Sequence, residues 1–582
     1  MQEHKQQEEE FSFKSFFVPL TTIKAIHWII VIGLIVYFNS LFNGFVWDDF
    51  SQLINNNTSH SLINISQFFS NHSYTYYRPF SAVVLAGMYM AFTTTAFWYH
   101  FVQIILHIIN TIFIFILFKR FFKLFLSFIL AGVFLIHPMN VESAAYISSL
   151  QAVLSLLFGL SALVIVSYKK QQSVFQYLLL SLFFLLSILS KETGIIFCIL
   201  TPLLMAFNKK IRYEKREYML ISLSIVLAIS FYVYLTFFYG NIPKETLLFS
   251  PVPIVNASLF IKLLTFPKIL FYYLLTFVYP VQLAVSQQWL VRSLSVEEFY
   301  IPLFVDIFFF TGLVITGIYL WRTKLRDTYI FFLLWFLLSW GMVFQIIPLD
   351  MTVADRWFYV PMIGLLGVLG SLITNIKVNN TILKQCVLWL LVIILLLFSL
   401  RTMVRLQNWN NNFTLFTHDE QISTVSYDIE DQLSNQYLTA SEYDQAKPHI
   451  MRSIQFAPKY WENWNNLGVY YEGTGQINQS IKAISQAVDN NPNYYNGYIN
   501  LASIYFHYKN PSEARVKIGK ILMKYPHDPL LLVYMAVEEY KVKDTTLAKN
   551  SIAQAYKYNQ SADIRYIYDS IMNNQPLDVV SK

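Results

Sequence analysis

Ionisable residues occur at five places where an apolar stretch of the chain ends. They are Asp48–Asp49, Arg78, His137 with Glu142, Lys191–Glu192 and Asp355–Arg356. Where such stretches cross a membrane, charged groups at their ends are costly and are usually retained for a task. A carboxylate can accept a proton as a general base, and an Arg or Lys can hold an anionic group such as a phosphate. Together these residue types predict a site for acid–base chemistry on an anionic substrate.

Each of these features also has a structural explanation when it is taken alone. Asp48–Asp49 could cap the next helix, and His137 before a proline could end one. Lys191–Glu192 could be an interfacial ion pair, while Arg78 and Arg356 could anchor the chain at a membrane surface. Five such features on one side of a membrane make a purely structural explanation of the whole set weaker.

The composition predicts a membrane protein with many helices. Of 582 residues, 55% are hydrophobic and only 13% are charged, and the mean hydropathy is +0.44. A soluble domain carries about 25% charged residues. The net charge of +7 is better explained by basic cytoplasmic loops than by nucleic-acid binding. The two cysteines, Cys198 and Cys386, lie in separate apolar runs, so no disulfide framework is expected.

Basic clusters set the predicted topology. They occur at 119–123, 169–170, 208–216, 321–326 and 375–384, and basic loops favour the cytoplasmic side. Placing all of them there gives eleven spans, at about 26–42, 98–118, 124–137, 143–167, 174–190, 193–207, 218–239, 301–320, 328–346, 357–374 and 384–400. The apolar pieces 79–92 and 257–284 are expected to lie on or dip into the outer face. This topology puts all five ionisable features, and the chain after residue 400, outside the cytoplasm.

The polar region after residue 400 contains a repeat of 34 residues. Pro458, Pro492 and Pro526 share this spacing, and so do Trp464 and Tyr498. Within the best unit, Trp464, Leu467, Gly468 and Tyr471 fall on one helix and Ser480, Ile484 and Ala487 on the next. The pattern resembles the tetratricopeptide repeat. It predicts three good units over about 430–526 and a degenerate fourth to about 560, and stacked helix pairs of this kind more often bind peptides than act as spacers.

Seven motifs occur in a characteristic order before these repeats. They are "FNGFVWDDF", "YYRPF", "WYHFVQIILHIIN", "FLIHPMNVESAAYISS", "ILSKETG", "ADRWFYVPMIG" and "RTMVRLQNWNNNFTLF". From about residue 26 to 560, the chain resembles the transmembrane and tetratricopeptide repeat-containing family, which are multi-pass glycosyltransferases of the GT-C class. The resemblance implies transfer of a sugar from a polyprenyl-phosphate carrier to an acceptor outside the cytoplasm. In animal members the sugar is mannose and the acceptor is a Ser or Thr hydroxyl.

This implied chemistry assigns roles to the ionisable residues. An acceptor hydroxyl needs a carboxylate base, and the leaving phosphate needs positive charge. Asp48 or Asp49 is the expected catalytic base, since GT-C enzymes carry an acidic motif in the first outer loop. Adjacency alone does not choose between them. In an extended chain only one of the two would face the sugar, and we favour Asp48.

The remaining expected contacts are with the donor and the acceptor. The donor phosphate or sugar is expected to contact Arg78, His137, Glu142, Lys191, Glu192, Asp355 and Arg356. The repeat aromatics Trp464, Tyr471, Tyr498 and Tyr505 are expected to bind the acceptor or partners. No metal or other cofactor is expected, although carboxylates with a histidine could hold a divalent cation.

The expected architecture is all-α, with a multi-pass membrane domain followed by a soluble repeat solenoid. Its predicted parts are a cytoplasmic tail 1–25, a GT-C-like membrane domain 26–405 with a first outer loop 43–97, a connector 406–429 and a repeat domain 430–575. The Asn- and Ile-rich sequence favours a bacterial plasma membrane over the endoplasmic reticulum. Two other functions stay open: an envelope-glycan polymerase or ligase using a lipid-diphosphate oligosaccharide, and a non-catalytic membrane scaffold with docking repeats.

Overall fold

A computed structural model describes residues 19–70, 76–168, 173–239, 251–345, 349–376 and 379–577. Over these residues the chain is helical, and its one β-type contact is an isolated bridge between Gln287 and Val353. The chain divides into two compact units, a membrane unit that ends at Val425 and a repeat unit that begins at Ser426. The all-α prediction is therefore confirmed.

Within the described residues, eight helices of the membrane unit are long and apolar enough to cross a bilayer. They are Thr22–Phe42, Ala96–Phe121, Ile147–Tyr168, Lys215–Phe238, Leu259–Val278, Val296–Leu320, Asp355–Asn375 and Thr381–Asn408. A bent pair, Leu124–Ile136 with Pro138–Ala145, could form a ninth span and turns by 52° at its break. Proline there removes a helical hydrogen bond donor, which accounts for the bend.

Shorter apolar helices complete the membrane unit. They are Pro79–Phe92, Val174–Ser190, Glu192–Phe207 and Arg326–Gly341. Each of the eleven predicted spans falls on one of the helices of this unit. Pro79–Phe92 has 14 residues, so it extends only about 21 Å and is too short to cross the hydrocarbon upright.

The helix Leu259–Val278 is long enough to cross, yet its contacts place it along one end of the bundle. Thr265 accepts a hydrogen bond from the backbone of Val291 at 3.2 Å. Further along the helix, Tyr272 donates to Asp355 at 2.5 Å. Val291 lies in a connection between helices, and Asp355 begins the helix Asp355–Asn375 and is itself one of the ionisable features.

Three of the basic loops, at 119–123, 208–216 and 321–326, meet at the opposite end, which we call the basic end. Lys119 donates to Thr22 Oγ1 at 2.5 Å, and Lys209 forms an ion pair with Asp327. Tyr213 donates to the carbonyl of Val166 at 2.6 Å. Loops far apart in sequence thus converge at one end of the membrane unit.

The repeat unit consists of four helix pairs and a final helix. The pairs are Tyr427–Thr439 with Tyr443–Phe456, Trp461–Gly473 with Ile477–Asn490, Tyr495–Tyr508 with Pro511–Leu522, and Pro529–Lys541 with Thr545–Tyr558. The last helix is Ala562–Met572. First helices begin every 34 residues, at 427, 461, 495 and 529. A Cβ on Gly468 would lie 2.2 Å from Ile484 Cγ1, so the glycine allows the two helices of its pair to touch. The fourth pair is regular, whereas the sequence predicted a degenerate unit.

Candidate active site

A cavity opens at the end of the membrane unit opposite the basic end. Its volume is about 1020 Å³, including space that is open to solvent. Its charged lining residues are Asp48, Arg78, Lys191, Glu192, Asp350 and Arg356. Five of these six were expected at the site from the sequence. The cavity therefore brings together residues separated by more than 300 positions.

Asp48 is placed in the cavity by the turn that follows the first span. Trp47 has a φ of 50°, in the left-handed region, and its ring stacks on Tyr146 with centroids 6.0 Å apart. The Tyr146 hydroxyl accepts a hydrogen bond from the Asp48 backbone at 3.3 Å and also bonds its side chain. Burial, reinforced by the charge of Asp48, holds the pKa of Tyr146 well above its usual value, so this phenol stays a hydrogen-bond donor to the carboxylate.

Asp49 faces away from the cavity. Its carboxylate accepts hydrogen bonds from the backbone of Val46 at 3.0 Å, the backbone of Ser148 at 2.8 Å and the Ser148 hydroxyl at 2.6 Å. Burial raises the pKa of Asp49 to about 7, against the lowering effect of these bonds. The two aspartates lie at a helix start instead of in extended chain, where successive side chains diverge by about 100°. Asp49 fixes the turn, and Asp48 faces the cavity.

Arg78 and Glu192 form a bidentate ion pair in the cavity wall. Arg78 Nε and Nη2 donate to the two carboxylate oxygens at 2.8 and 2.6 Å. The guanidinium carbon of Arg78 also lies 4.2 Å from the centre of the Tyr76 ring. Such planar pairs are geometrically specific, so Arg78 is held in one orientation.

Arg356 is held by an ion pair with Glu142. Its backbone N–H donates to Glu142 Oε2 at 2.8 Å, and its guanidinium donates to Oε1. Asp350 lies 3.9 Å from another nitrogen of Arg356. Glu142 does not line the cavity itself, and its carboxylate instead contacts the lining residue Arg356. The sequence placed Glu142 at the sugar or phosphate, whereas in the structure its contact is with Arg356.

Lys191 differs from both arginines. It is 8% exposed, and within the described part of the chain its ammonium has no ion pair or hydrogen bond. Burial, and then the positive charge of Arg78, lower the pKa of Lys191 to about 8. The cavity thus contains a lysine whose charge is not offset by a direct carboxylate contact.

Two predicted donor contacts, His137 and Asp355, lie outside the cavity lining. His137 Nε2 donates to the carbonyl of Phe277 at 2.9 Å, and Nδ1 accepts from the backbone of Met139 at 3.3 Å. Its ring stacks on Phe277. Asp355 accepts from Tyr272. Both residues hold Leu259–Val278 against the bundle.

The four repeat aromatics expected at an acceptor site pack between helices. Trp464 and Tyr471 contact one buried cluster of the repeat unit, and Tyr498 and Tyr505 belong to another. Trp464 Nε1 donates to the carbonyl of Pro458 at 2.7 Å. Their visible contribution is to the packing of the solenoid.

Sequence reasoning missed Tyr76, Tyr146, Ser148 and Asp350 around the cavity. Tyr76 and Tyr146 lie inside the motifs already recognised, within a few residues of Arg78 and Glu142. Asp350 precedes Arg356 by six residues in the same connection. The only available signal was that these residues lie close in sequence to predicted site residues. Closeness in sequence does not show whether a side chain lines the cavity.

Comparison with known proteins gives relatives at low identity. Protein O-mannosyl-transferase F38B6.6 of Caenorhabditis elegans is 23% identical over 466 residues, which cover 74% of this chain and 62% of the relative. Protein O-mannosyl-transferase TMTC3 of Mus musculus is 22% identical over 529 residues, covering 80% and 56%. The resemblance to the transmembrane and tetratricopeptide repeat-containing family is confirmed. The chain spans about three fifths of the length of these two relatives.

Two further comparisons bear on parts of the chain. TMTC3 of Homo sapiens is 28% identical over 149 residues, or 23% of this chain and 16% of the relative. A crystal structure of the thermophilic TPR protein TTC0263 of Thermus thermophilus covers 30% of this chain and 94% of its own, at 16% identity and a TM-score of 0.24. No protein-family model matches the chain.

Proposed function

We propose that this protein is a membrane glycosyltransferase that moves a sugar, mannose in the first instance, from a polyprenyl-phosphate carrier to a hydroxyl of a protein acceptor. The observation that carries the proposal is the single cavity in which Asp48 faces Arg78, Lys191 and Arg356. The names of the relatives, protein O-mannosyl-transferases, support the choice of sugar and acceptor.

Asp48 is the proposed general base. The acceptor hydroxyl loses its proton to Asp48 as its oxygen attacks the anomeric carbon, while the bond from that carbon to the phosphate oxygen breaks. The transition state has oxocarbenium character, as in other glycosyl transfers. General-base assistance contributes about 10²–10⁴-fold in rate. Tyr146, bonded to Asp48, keeps the carboxylate directed into the cavity.

The phosphate of the donor is proposed to contact Lys191. Arg78 is paired with Glu192 and Arg356 with Glu142, whereas Lys191 has no carboxylate in direct contact among the described residues. A polyprenyl-phosphate sugar is a phosphodiester with one negative charge, which one ammonium can pair with, whereas a diphosphate carries at least one charge more. The proposed reaction includes no metal or other cofactor.

The cavity also offers an apolar wall for the lipid. Ile196 and Phe197 line it from one helix and Met342 and Val343 from the end of another. An isoprenoid tail would leave the cavity past these side chains into the bilayer. In the proposed orientation the cavity end is extracytoplasmic, which means outside a bacterial plasma membrane, or in the lumen of the endoplasmic reticulum in a eukaryote. The repeat unit would bind the protein acceptor or partner proteins on that side.

The test uses the full chain reconstituted in lipid vesicles. Polyprenyl-phosphate mannose and a polyprenyl-diphosphate oligosaccharide are compared as donors, with a Ser/Thr-rich protein as acceptor. Transfer from the monophosphate donor that falls at least 100-fold in Asp48→Asn supports the proposal. Transfer only from the diphosphate donor would point to an envelope-glycan polymerase or ligase. Full activity of Asp48→Asn would reject Asp48 as the general base. No transfer by the wild type would reject the transferase proposal and leave the scaffold hypothesis.

A further inference from the structure

A short segment formed by the end of the last long helix and the residues after it contacts the turn that carries Asp48. This clasp segment comprises residues 405–420 and includes the helix Asn412–Glu420. Asn43 Nδ2 donates to the carbonyl of Leu406 at 3.0 Å, and the Gly44 N–H donates to the carbonyl of Asn410 at 2.8 Å. Two hydrogen bonds thus tie the chain leading to Asp48 to residues more than 360 positions later.

A third bond reaches the residue next to Asp48. Asn412 Oδ1 accepts from the Trp47 N–H at 2.7 Å. Trp47 is the residue with a φ of 50°, a conformation that persists only where the surroundings hold it. On its other face the Trp47 ring stacks on Tyr146 and meets Phe416 of the clasp edge-on.

The clasp segment is itself fixed by a buried ion pair. Arg405 donates to both oxygens of Asp419 at 2.6 and 3.0 Å, and Asp419 also accepts from the backbone of Val285 at 2.6 Å. Both charged side chains are at most 2% exposed. The position of Asn412 is therefore set by a rigid local framework and not by a mobile tail.

We infer that Asn412 is a positioning residue for the proposed catalytic Asp48, acting through the backbone of Trp47. This inference rests on the proposed function. Its amide oxygen holds Trp47 in the left-handed conformation, and that conformation directs the Asp48 carboxylate into the cavity. A displacement of about 1 Å at a catalytic group can cost about 100-fold in rate. Since the donor phosphate is held by other residues, loss of Asn412 should affect turnover and not donor affinity.

The neighbouring Asn411 provides a matched control. Its side chain caps the same helix by accepting from Thr414 N at 2.9 Å, and it has no hydrogen bond to the Asp48 turn among the described residues. Asn411→Leu should lower thermal stability while keeping kcat within about twofold. Asn412→Leu should lower kcat about 10- to 100-fold with KM for polyprenyl-phosphate mannose within about twofold. Asn412→Asp keeps an acceptor oxygen and should restore most of the turnover.

A second readout is independent of activity. Hydrogen–deuterium exchange of the peptide containing Trp47 should be faster in Asn412→Leu and near wild type in Asn412→Asp and Asn411→Leu. Equal kcat losses in the two leucine variants, or unchanged exchange in Asn412→Leu, would overturn the inference. If the wild type transfers no sugar, the proposed function fails, and the exchange experiment still decides whether Asn412 holds Trp47.

Discussion

Asp48 and Asp49 are neighbours in sequence, yet their carboxylates belong to different parts of the molecule. Asp48 lines the cavity beside Tyr146, whereas Asp49 accepts three hydrogen bonds from Val46 and Ser148 and is fully buried. Asp48 therefore serves the cavity, and Asp49 holds the turn that directs Asp48 into it.

This division predicts opposite phenotypes for two conservative substitutions. Asp48→Asn should reduce transfer about 10²–10⁴-fold, because the amide cannot accept the proton, and should leave the melting temperature unchanged. Asp49→Asn should lower stability by about 1–3 kcal/mol, because its amide group would face a donor inside the protein. Thermal unfolding in detergent and kcat per folded molecule separate the two. Equal loss of activity per folded molecule in both would contradict the assignment.

The lowered pKa of Lys191 predicts that activity falls at alkaline pH. Its pKa is lowered to about 8, so its ammonium is charged below that pH and loses its proton as the pH rises through it. If this charge neutralises the donor phosphate, kcat/KM should be constant below pH 8 and fall about tenfold for each pH unit above. The profile of kcat/KM reports the free enzyme, and it should be measured from pH 6.5 to 10.

The matched variant for this prediction is Lys191→Arg. A guanidinium stays protonated throughout this range, so the alkaline limb should move up by more than one pH unit even if the maximal rate falls. An unchanged limb in Lys191→Arg would assign the titration to another group.

The local sequence pattern was sufficient to predict most of the charged residues that line the cavity. Charged residues at helix ends, such as Arg78, Lys191 and Arg356, stand out in a chain that is only 13% charged, and basic loops indicated which ends meet. Pattern could not separate Asp48 from Asp49, because their difference lies in Ser148, 99 positions away.

Several residues predicted to contact the donor or the acceptor have other partners in the structure, and the physical reason is similar. His137 has the residue type of a ligand, but its two ring nitrogens are bonded to backbone groups of Phe277 and Met139. Trp464 and Tyr505 have the residue types of a binding surface, yet the repeat uses them for packing. Asn412 has a polar side chain in a polar segment, and only its contact with Trp47 singles it out.

The buried Arg405–Asp419 pair predicts a non-additive double variant. Arg405→Leu or Asp419→Leu alone leaves one buried charge uncompensated and should cost about 3–5 kcal/mol of stability. The double leucine variant removes both charges and should be less destabilised than the sum of the single variants. Chemical unfolding of all four proteins completes the cycle, and strict additivity would show that the pair is not coupled.

At Gly364 we expect that the added methyl group of an alanine destabilises the membrane unit. A Cβ there would lie 2.4 Å from the backbone nitrogen and 2.7 Å from the Cα of Phe336, in the facing helix. Small residues let membrane helices pack this closely, and backbone atoms cannot rotate away as a side chain can. Gly364→Ala should therefore cost about 1–3 kcal/mol through overpacking. Gly312 is the control, because no atom of the described residues lies within 4 Å of its Cβ position, and alanine there should be neutral or slightly stabilising. Melting temperatures of the two variants in the same detergent test the pair, and equal shifts would show that Gly364 does not set the contact between these helices.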